Sequence, residues 1–381
     1  MNPLARERIA TLAVFLANGF GIGAWAVEVP RIKESLGLDD TSLGIALFCF
    51  ALGAIVAMPL AGQLAPRVGS GRATALLGAA FAIALPLPGV APGMLMLCVV
   101  LFALGASNGA LDVSMNGHAS AIETRWRAPI MSSFHAAWSA GGLLGAASGA
   151  VLQKAGIGVV GGLLAPDLFI AALLVVAASL ALRDIGPRAA AASSGFAWPD
   201  SSVMKLALLA FMCMLVEGAV ADWSAVYLRS TLNQQASVAA IGYSAFAFSM
   251  AACRIAGDAS VRRFGSSKVV ALGGLIALAG LALVLSLPTV LTACVGFAMV
   301  GIGLANIVPV IFSAAGRSSA TPAVGVSMAA TFGYAGFLVG PPLIGFGAGV
   351  LGLRAALCVL VMATLIVSLL GGKAVRGAQP A

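Results

Sequence analysis

The sequence predicts an all-α polytopic membrane protein with twelve transmembrane helices in two pseudo-symmetric six-helix bundles. Three observations lead to that expectation. Of the 381 residues, 61% are hydrophobic and only 9% charged, where a soluble domain carries roughly a quarter charged residues. Apolar stretches of the length that spans hydrocarbon, about 20 residues, follow one another from Ile9 to Leu370. Nearly all the basic residues fall in the gaps between these stretches, and the gaps alternate between basic-rich and basic-poor.

The spans are expected at residues 9–29, 42–64, 73–90, 94–116, 130–152, 160–182, 203–227, 237–258, 269–287, 290–314, 323–349 and 353–371. They leave no room for a soluble domain. With Met1 placed in the cytoplasm, that side holds Arg6, Arg8, Arg67, Arg72, Arg125, Arg127, Arg183, Arg188, Lys205, Arg254, Arg262, Arg263, Lys268, Arg317, Lys373 and Arg376. The other side holds Arg31, Lys33, Lys154, Arg229 and Arg354, so the 21 basic residues divide 16 to 5. Such an excess orients a bacterial inner-membrane protein with both termini cytoplasmic. The net charge of +8 reads as this asymmetry, and no basic patch remains for nucleic acid. Trp126, Trp198 and Tyr243 near span ends read as interface anchors.

The six cysteines are scattered through apolar segments with no C-x-x-C spacing. Neither a metal site nor a disulfide framework is expected, and no cofactor. The N-terminus also fits a cleavable signal peptide, with Arg6 and Arg8 before an apolar run and Ala24-Trp25-Ala26 as a small-residue cleavage site. The first span has a counterpart in the second half, which argues that it stays.

The chain repeats itself at an offset near half its length. Ala65-Pro66-Arg67-Val68-Gly69-Ser70-Gly71-Arg72 after span 2 matches Val261-Arg262-Arg263-Phe264-Gly265-Ser266-Ser267-Lys268 after span 8. Gly105-Ala106-Ser107-Asn108 in span 4 matches Gly303-Leu304-Ala305-Asn306 in span 10, and Gly141 and Gly145 match Gly336 and Gly340. Three matches in register and in the same orientation predict two parallel halves, residues 1–182 and 203–381. The Ala/Ser/Pro-rich segment 183–202 joins them as a cytoplasmic linker.

Six plus six spans with a Gly…Arg-x-Gly…basic loop after spans 2 and 8 resemble the major facilitator superfamily over essentially the whole chain. Within it, residues 104–116, Met131-Ser132-Ser133-Phe134-His135-Ala136-Ala137-Trp138-Ser139, and Glu217-Gly218-Ala219-Val220-Ala221-Asp222-Trp223-Ser224 are similar to the bacterial branch of MosC-like and YbjJ-like membrane proteins. The resemblance implies a monomeric secondary transporter that alternates between inward-open and outward-open states. For the branch it implies small polar solutes, sugar- or inositol-like. The sequence departs from the superfamily pattern at Pro66, where an acid is usual, and at Asp258, where the second copy keeps an acid at a shifted position. It departs again at Leu101, near the place of an arginine tied to proton coupling, and at Ala146, where the antiporter pattern has proline after Gly145. Gly340-Pro341-Pro342 lies in the other half. These departures leave the coupling mechanism and the direction of transport open.

Polar side chains inside spans are costly, at least ~2.5–3.5 kcal/mol for an ionised group, and so face a cavity or a partner. Asn108, Asp112 and Asn116 are spaced by four along one face of span 4. His135 and Ser139 share the spacing on span 5, and counting residues from the intervening loop sets Asp112 level with His135. That pair reads either as a protonation or substrate site or as a structural lock between two helices. The glycines of span 5 read as close packing. Glu217 and Asp222 on span 7 lie about 140° apart around a helix, so they face different surroundings. Glu217 is the deeper, and the readier proton carrier; Asp222 reads as a coupling or outer-gate residue. Asn18, Trp25 and Glu28 line one stripe of span 1. Trp25 fits either sugar stacking or an interfacial anchor, and Glu28 fits a place in the outer interface beside Arg31. Asn306 and Tyr334 are the second-half counterparts of Asn108 and Ser139. The expected substrate contacts are therefore Asn18, Trp25, Asn108, Asn116, Ser139, Asn306 and Tyr334. Asp112, Glu217, His135 and Asp222 are the candidates for proton coupling. Arg67, Arg72, Arg254, Asp258 and Arg263 are expected to form a cytoplasmic gate.

An intramembrane enzyme has little to build with: His118 and His135 are the only histidines, and neither H-E-x-x-H nor G-x-S-x-G occurs. The expected function is proton-coupled transport of a small polar solute, hydroxylated or cationic, with protons and membrane lipid as the other partners. Efflux of apolar or cationic compounds, passive uniport and a transporter-shaped receptor are the alternatives.

Overall fold

The computed structural model describes residues 2–181, 200–319 and 321–378. Of the linker expected at 183–202, residues 183–199 lie outside the described residues, with Arg183, Arg188 and Trp198 among them.

Among the described residues the chain is helical and has no strand. The fifteen helices are α1 (Pro3–Ser35), α2 (Asp40–Val68), α3 (Ser70–Ala84), α4 (Met94–Trp126), α5 (Met131–Lys154), α6 (Val159–Ala181), α7 (Ser201–Val226), α8 (Ala236–Ile255), α9 (Gly257–Phe264), α10 (Ser266–Ser286), α11 (Val290–Leu304), α12 (Ile307–Arg317), α13 (Pro322–Leu351), α14 (Leu353–Ala356) and α15 (Cys358–Gly377). Ten helical stretches are long and apolar enough to cross a membrane. Helices α5, with 24 residues, and α8, with 20, have the length as well. Twelve traverses result. Helix α5 carries Ser132, Ser133, His135 and Ser139 among its apolar residues, which is why it is less apolar than its neighbours.

Helices are the natural outcome for such segments, because hydrocarbon offers no partner to a free backbone N–H or C=O. Their ends are capped from the sequence. The Asn2 side chain accepts the N–H of Leu4 at the start of α1, and Asp39 Oδ1 accepts the N–H of Ser42 at 2.8 Å at the start of α2. Hydrogen bonds from Ser42, the backbone N–H foremost, hold the Asp39 carboxyl below its ordinary pKa. Asp200 caps α7, and Thr289 and Thr292 form a capping box at α11.

The chain divides into two compact units: Met1–Arg127, Phe134–Ala197 and Ala320–Ser327 in one, Ala128–Ser133, Trp198–Ser319 and Met328–Ala381 in the other. The repeated Arg-x-Gly-Ser motif has the same backbone geometry in each. Gly69 takes φ 105°, ψ 135° between α2 and α3, and Gly265 takes φ 81°, ψ 150° between α9 and α10. Each glycine donates its N–H to the fourth residue before it, at 2.9 Å. Positive φ is what glycine tolerates and other residues resist, so the motif is a backbone requirement of the helix–turn–helix junction.

Within the first unit, the glycines of α5 press against α1. A methyl group at Gly141 would run into the carbonyl of Leu16, and one at Gly145 into that of Phe20. Gly105 of α4 meets the Phe50 carbonyl of α2 in the same way. In the second unit Gly336 of α13 meets the Phe211 carbonyl of α7. Small residues let membrane helices approach to backbone distance, where dispersion and weak polar contacts hold them.

The span expected at 290–314 is one traverse, Val290–Arg317, interrupted between α11 and α12 at Ala305 and Asn306. The span at 237–258 is likewise interrupted, at Ala256. The first break has a covalent cause. Pro309 has no N–H, so the Ala305 carbonyl four residues earlier has no helical donor.

Gly141→Ala is expected to destabilise by roughly 1–3 kcal/mol through overpacking, whereas Gly349→Ala, with no neighbour around its missing Cβ, should be neutral or mildly stabilising. Thermal unfolding of the two purified variants compares them directly; equal melting would show that α1 and α5 do not need the glycine contact.

Candidate functional site

In the first unit the polar residues of α1, α4 and α5 join. Asn18 Nδ2 donates to Asn108 Oδ1 at 2.9 Å, and Trp138 Nε1 donates to Asn18 Oδ1 at 2.9 Å. Asn18 and Asn108 are buried. Asn18 therefore spends its carbonyl and one N–H on ties between helices. The part played by Trp138 is not apparent from the sequence; it lies one residue from Ser139, and only the packed helices show that it points toward Asn18.

Further along α4 from Asn108, Asn116 Nδ2 donates to the Asp112 carbonyl at 2.9 Å and to Asp112 Oδ1 at 3.2 Å. The other two acceptors of this pair, Asp112 Oδ2 and Asn116 Oδ1, are buried without a hydrogen-bond partner among the described residues. His135 packs its ring against Phe15, centroids 5.7 Å apart, and its backbone carbonyl accepts Ser139 Oγ at 3.0 Å. Trp25 is buried in the unit at 6% exposure, so it is not at a lipid-facing position. Glu28 is buried against Arg31 Nη1 at 3.0 Å, and Gln153 Nε2 reaches Glu28 Oε1 at 3.4 Å, which makes a second tie between α1 and α5.

In the second unit the polar residues collect where the helices break. Arg254 Nη2 lies 3.5 Å from Glu217 Oε1. Arg254 Nε donates at 3.2 Å to the carbonyl of Ala305, the group that Pro309 leaves without a helical donor. In return Asn306 Nδ2 donates at 3.1 Å to the Cys253 carbonyl, at the end of α8. Each broken helix thus caps the other. Gly257 leaves room for the Asn306 carboxamide, since any Cβ there would collide with Asn306 Oδ1 and Ser132. Asn306 Oδ1 is a third buried acceptor without a hydrogen-bond partner among the described residues.

Arg254, expected in the gate from its place near the end of a span, reaches Glu217 and Ala305 within the bundle. Asp258 Oδ1 accepts the N–H of Ser133 at 3.2 Å, at the start of α5, and Arg262 Nη1 donates to the Pro129 carbonyl at 3.4 Å. Arg67, Arg72 and Arg263 are exposed at helix ends, Arg263 over the Phe264 ring at 5.4 Å. Asp222 is exposed and Glu217 half-buried, as their angular separation requires. Tyr334 is half-buried beside Phe337, ring centroids 6.3 Å apart. Among the described residues no group of His, Cys, Asp and Glu is placed to hold a metal ion.

The model of the Major Facilitator Superfamily matches residues 11–330. The chain belongs to the major facilitator superfamily. Two relatives of this transporter are an MFS-type transporter of Yersinia pestis, 35% identical over 91% of this chain and 90% of its own, and the membrane protein MosC of Rhizobium meliloti, 35% identical over 96% and 90%. The fold matches that of the E. coli fucose:proton symporter FucP with a TM-score of 0.80 at 16% identity, over 100% of this chain and 99% of that one. It matches the human organic anion transporter MFSD10 with a TM-score of 0.74 at 14% identity, over 100% of both. The transporter is a multi-pass membrane protein.

Removing one partner of a buried ion pair strands the other charge. Arg254→Gln is expected to destabilise the transporter by about 3–5 kcal/mol, and the double variant Glu217→Gln/Arg254→Gln to recover only the part due to the stranded carboxylate, since both lose the Arg254 bond to the Ala305 carbonyl. Thermal unfolding of the three proteins measures it. A single variant as stable as the parent would show that the pair is not a structural interaction.

Proposed function

We propose that this transporter moves a small polar solute, hydroxylated or cationic, by alternating access coupled to protons. The observation that carries the reading is the pair of buried acceptors left over on α4, Asp112 Oδ2 and Asn116 Oδ1. A buried acceptor with no donor costs free energy. Solute hydroxyl or ammonium groups, or a proton on the carboxylate, would supply what is missing. An anionic solute would not.

Glu217 is the proposed second proton site. Ionised, it attracts Arg254; protonated, it gives up most of that attraction while Arg254 keeps its bond to the Ala305 carbonyl. The protonation state of one side chain would then be felt at the ends of α8 and α11, where the helices are already interrupted and least costly to bend. In this reading Asn18 positions Asn108 and is not itself a solute contact. The fold neighbour FucP is a fucose:proton symporter, which fits a hydroxylated solute.

Proteoliposome transport tests both parts. The solute is first found by thermal stabilisation across sugars, polyols, amines, amino acids and apolar compounds, since a ligand of the native state raises its apparent stability. Asp112→Asn should then abolish uptake driven by a pH gradient and leave the fold intact, and Glu217→Gln should abolish it at a cost in stability from the unpaired Arg254. For Glu217→Gln, solute counterflow without a gradient should survive. Normal pH-driven uptake in both variants would remove the proton assignment, and stabilisation by apolar compounds alone would replace the polar solute with an efflux substrate.

A further inference from the structure

We propose that the groove between α7 and α15 is a binding site for one anionic phospholipid. A cavity of about 500 Å³ lies between these two helices, within the roughly 300–1,000 Å³ range of small-molecule sites. Its floor is apolar, with Leu208, Ile366 and Leu370 among its lining residues, and Lys205, Lys373 and Ser202 gather toward one end. Lys205 is in the second turn of α7 and Lys373 in the last turns of α15, so the antiparallel pair brings both lysines to the same end of the groove.

Leu208 and Leu370 are 47% and 53% exposed, as side chains facing lipid tails are. Among the described residues neither lysine has a hydrogen-bond or ion-pair partner. The neighbouring acid, Asp200, has its carboxylate turned to the helix start, where Oδ1 accepts the N–H of Ser201 at 2.9 Å. Arg376, near the end of α15, donates from Nη2 to Ser267 Oγ at 3.3 Å at the start of α10, the residue before Lys268.

An apolar trough ending in two unpaired ammonium groups and a hydroxyl fits an amphiphile with a negative head. A phospholipid puts an acyl chain along Leu208, Ile366 and Leu370, and its phosphate between Lys205 and Lys373 with Ser202 as a further donor. Basic pockets between membrane helices on the cytoplasmic side take such headgroups, and each lysine near the surface is worth about 1 kcal/mol. The inference is independent of the solute and of proton coupling.

The test uses the purified full-length transporter in neutral detergent, with phosphatidylglycerol, phosphatidylcholine and glycerol 3-phosphate as probes. Native mass spectrometry counts retained lipid, and thermal unfolding reads stabilisation. Phosphatidylglycerol should be retained and stabilising, while phosphatidylcholine and glycerol 3-phosphate should be neither. Lys205→Gln/Lys373→Gln should lose affinity for phosphatidylglycerol roughly 25-fold, about fivefold per lysine, and Lys205→Arg/Lys373→Arg should retain it. If the doubly neutral variant does not fold, the single Gln variants decide, each expected to lose about fivefold. Undiminished phosphatidylglycerol binding in the Gln variants, or equal retention of phosphatidylcholine by the parent, would overturn the site. Stabilisation by glycerol 3-phosphate equal to that by the lipid would overturn it too, in favour of a soluble phosphate ligand.

Discussion

The second half of this transporter is organised around one backbone carbonyl. In hydrocarbon a peptide group must find its partner within the protein, and Pro309 removes the partner of Ala305. The Arg254 guanidinium supplies the missing donor at 3.2 Å. A guanidinium can do so because its several N–H groups spread over a fork: one serves the carbonyl while another faces Glu217. The cost of keeping a cation among apolar helices is thereby offset twice, once by the carboxylate and once by the carbonyl. The reciprocal bond from Asn306 to Cys253 closes the second break, and Gly257 provides the space for it. Proline, arginine, glutamate, asparagine and glycine at these five positions form one interdependent unit.

Elsewhere the helices hold together by proximity. Two membrane helices gain little from excluding lipid, which is as apolar as they are. They gain from contact, and contact requires that one of them lack side chains where the other has carbonyls. Gly141 and Gly145 against Leu16 and Phe20, and Gly336 against Phe211, follow that rule in the two units. The amide ties Trp138–Asn18–Asn108 then fix the register that the glycines permit, because hydrogen bonds between side chains have one satisfactory alignment and dispersion has many.

Hydropathy and charge made the twelve traverses legible, because a span is a property of some twenty consecutive residues and survives averaging. The Arg-x-Gly-Ser repeat was legible because it encodes a backbone angle, positive φ at Gly69 and Gly265. The helix breaks at Ala256 and Asn306 were not, since a two-residue interruption vanishes in a window of that length. A signal was present in Pro309 and in what its missing N–H implies four residues earlier. The meeting of Glu217 with Arg254 had no local signal. Those residues are 37 positions apart, and their pairing depends on how α7 and α8 rotate to bury their apolar faces. Likewise the use of Asn18 by Trp138 depends on side-chain direction.

The two halves descend from one pattern and have diverged at its centre. Asn108 sits inside the uninterrupted α4 and is held by another amide, whereas its counterpart Asn306 sits at a break and holds a carbonyl. A neutral amide network is indifferent to protons over the physiological range, since asparagine and tryptophan do not titrate there. A carboxylate–guanidinium pair is not indifferent, because one proton cancels half of it. The Glu217–Arg254 pair lies where the helices of its half are broken, so a change in charge acts on backbone that has already given up its continuous hydrogen-bond ladder. That coincidence of titratable group and weak backbone is what a charge-driven conformational step requires. It makes Glu217, more than any residue of the amide network, the side chain through which a proton would do mechanical work under the proposed reading.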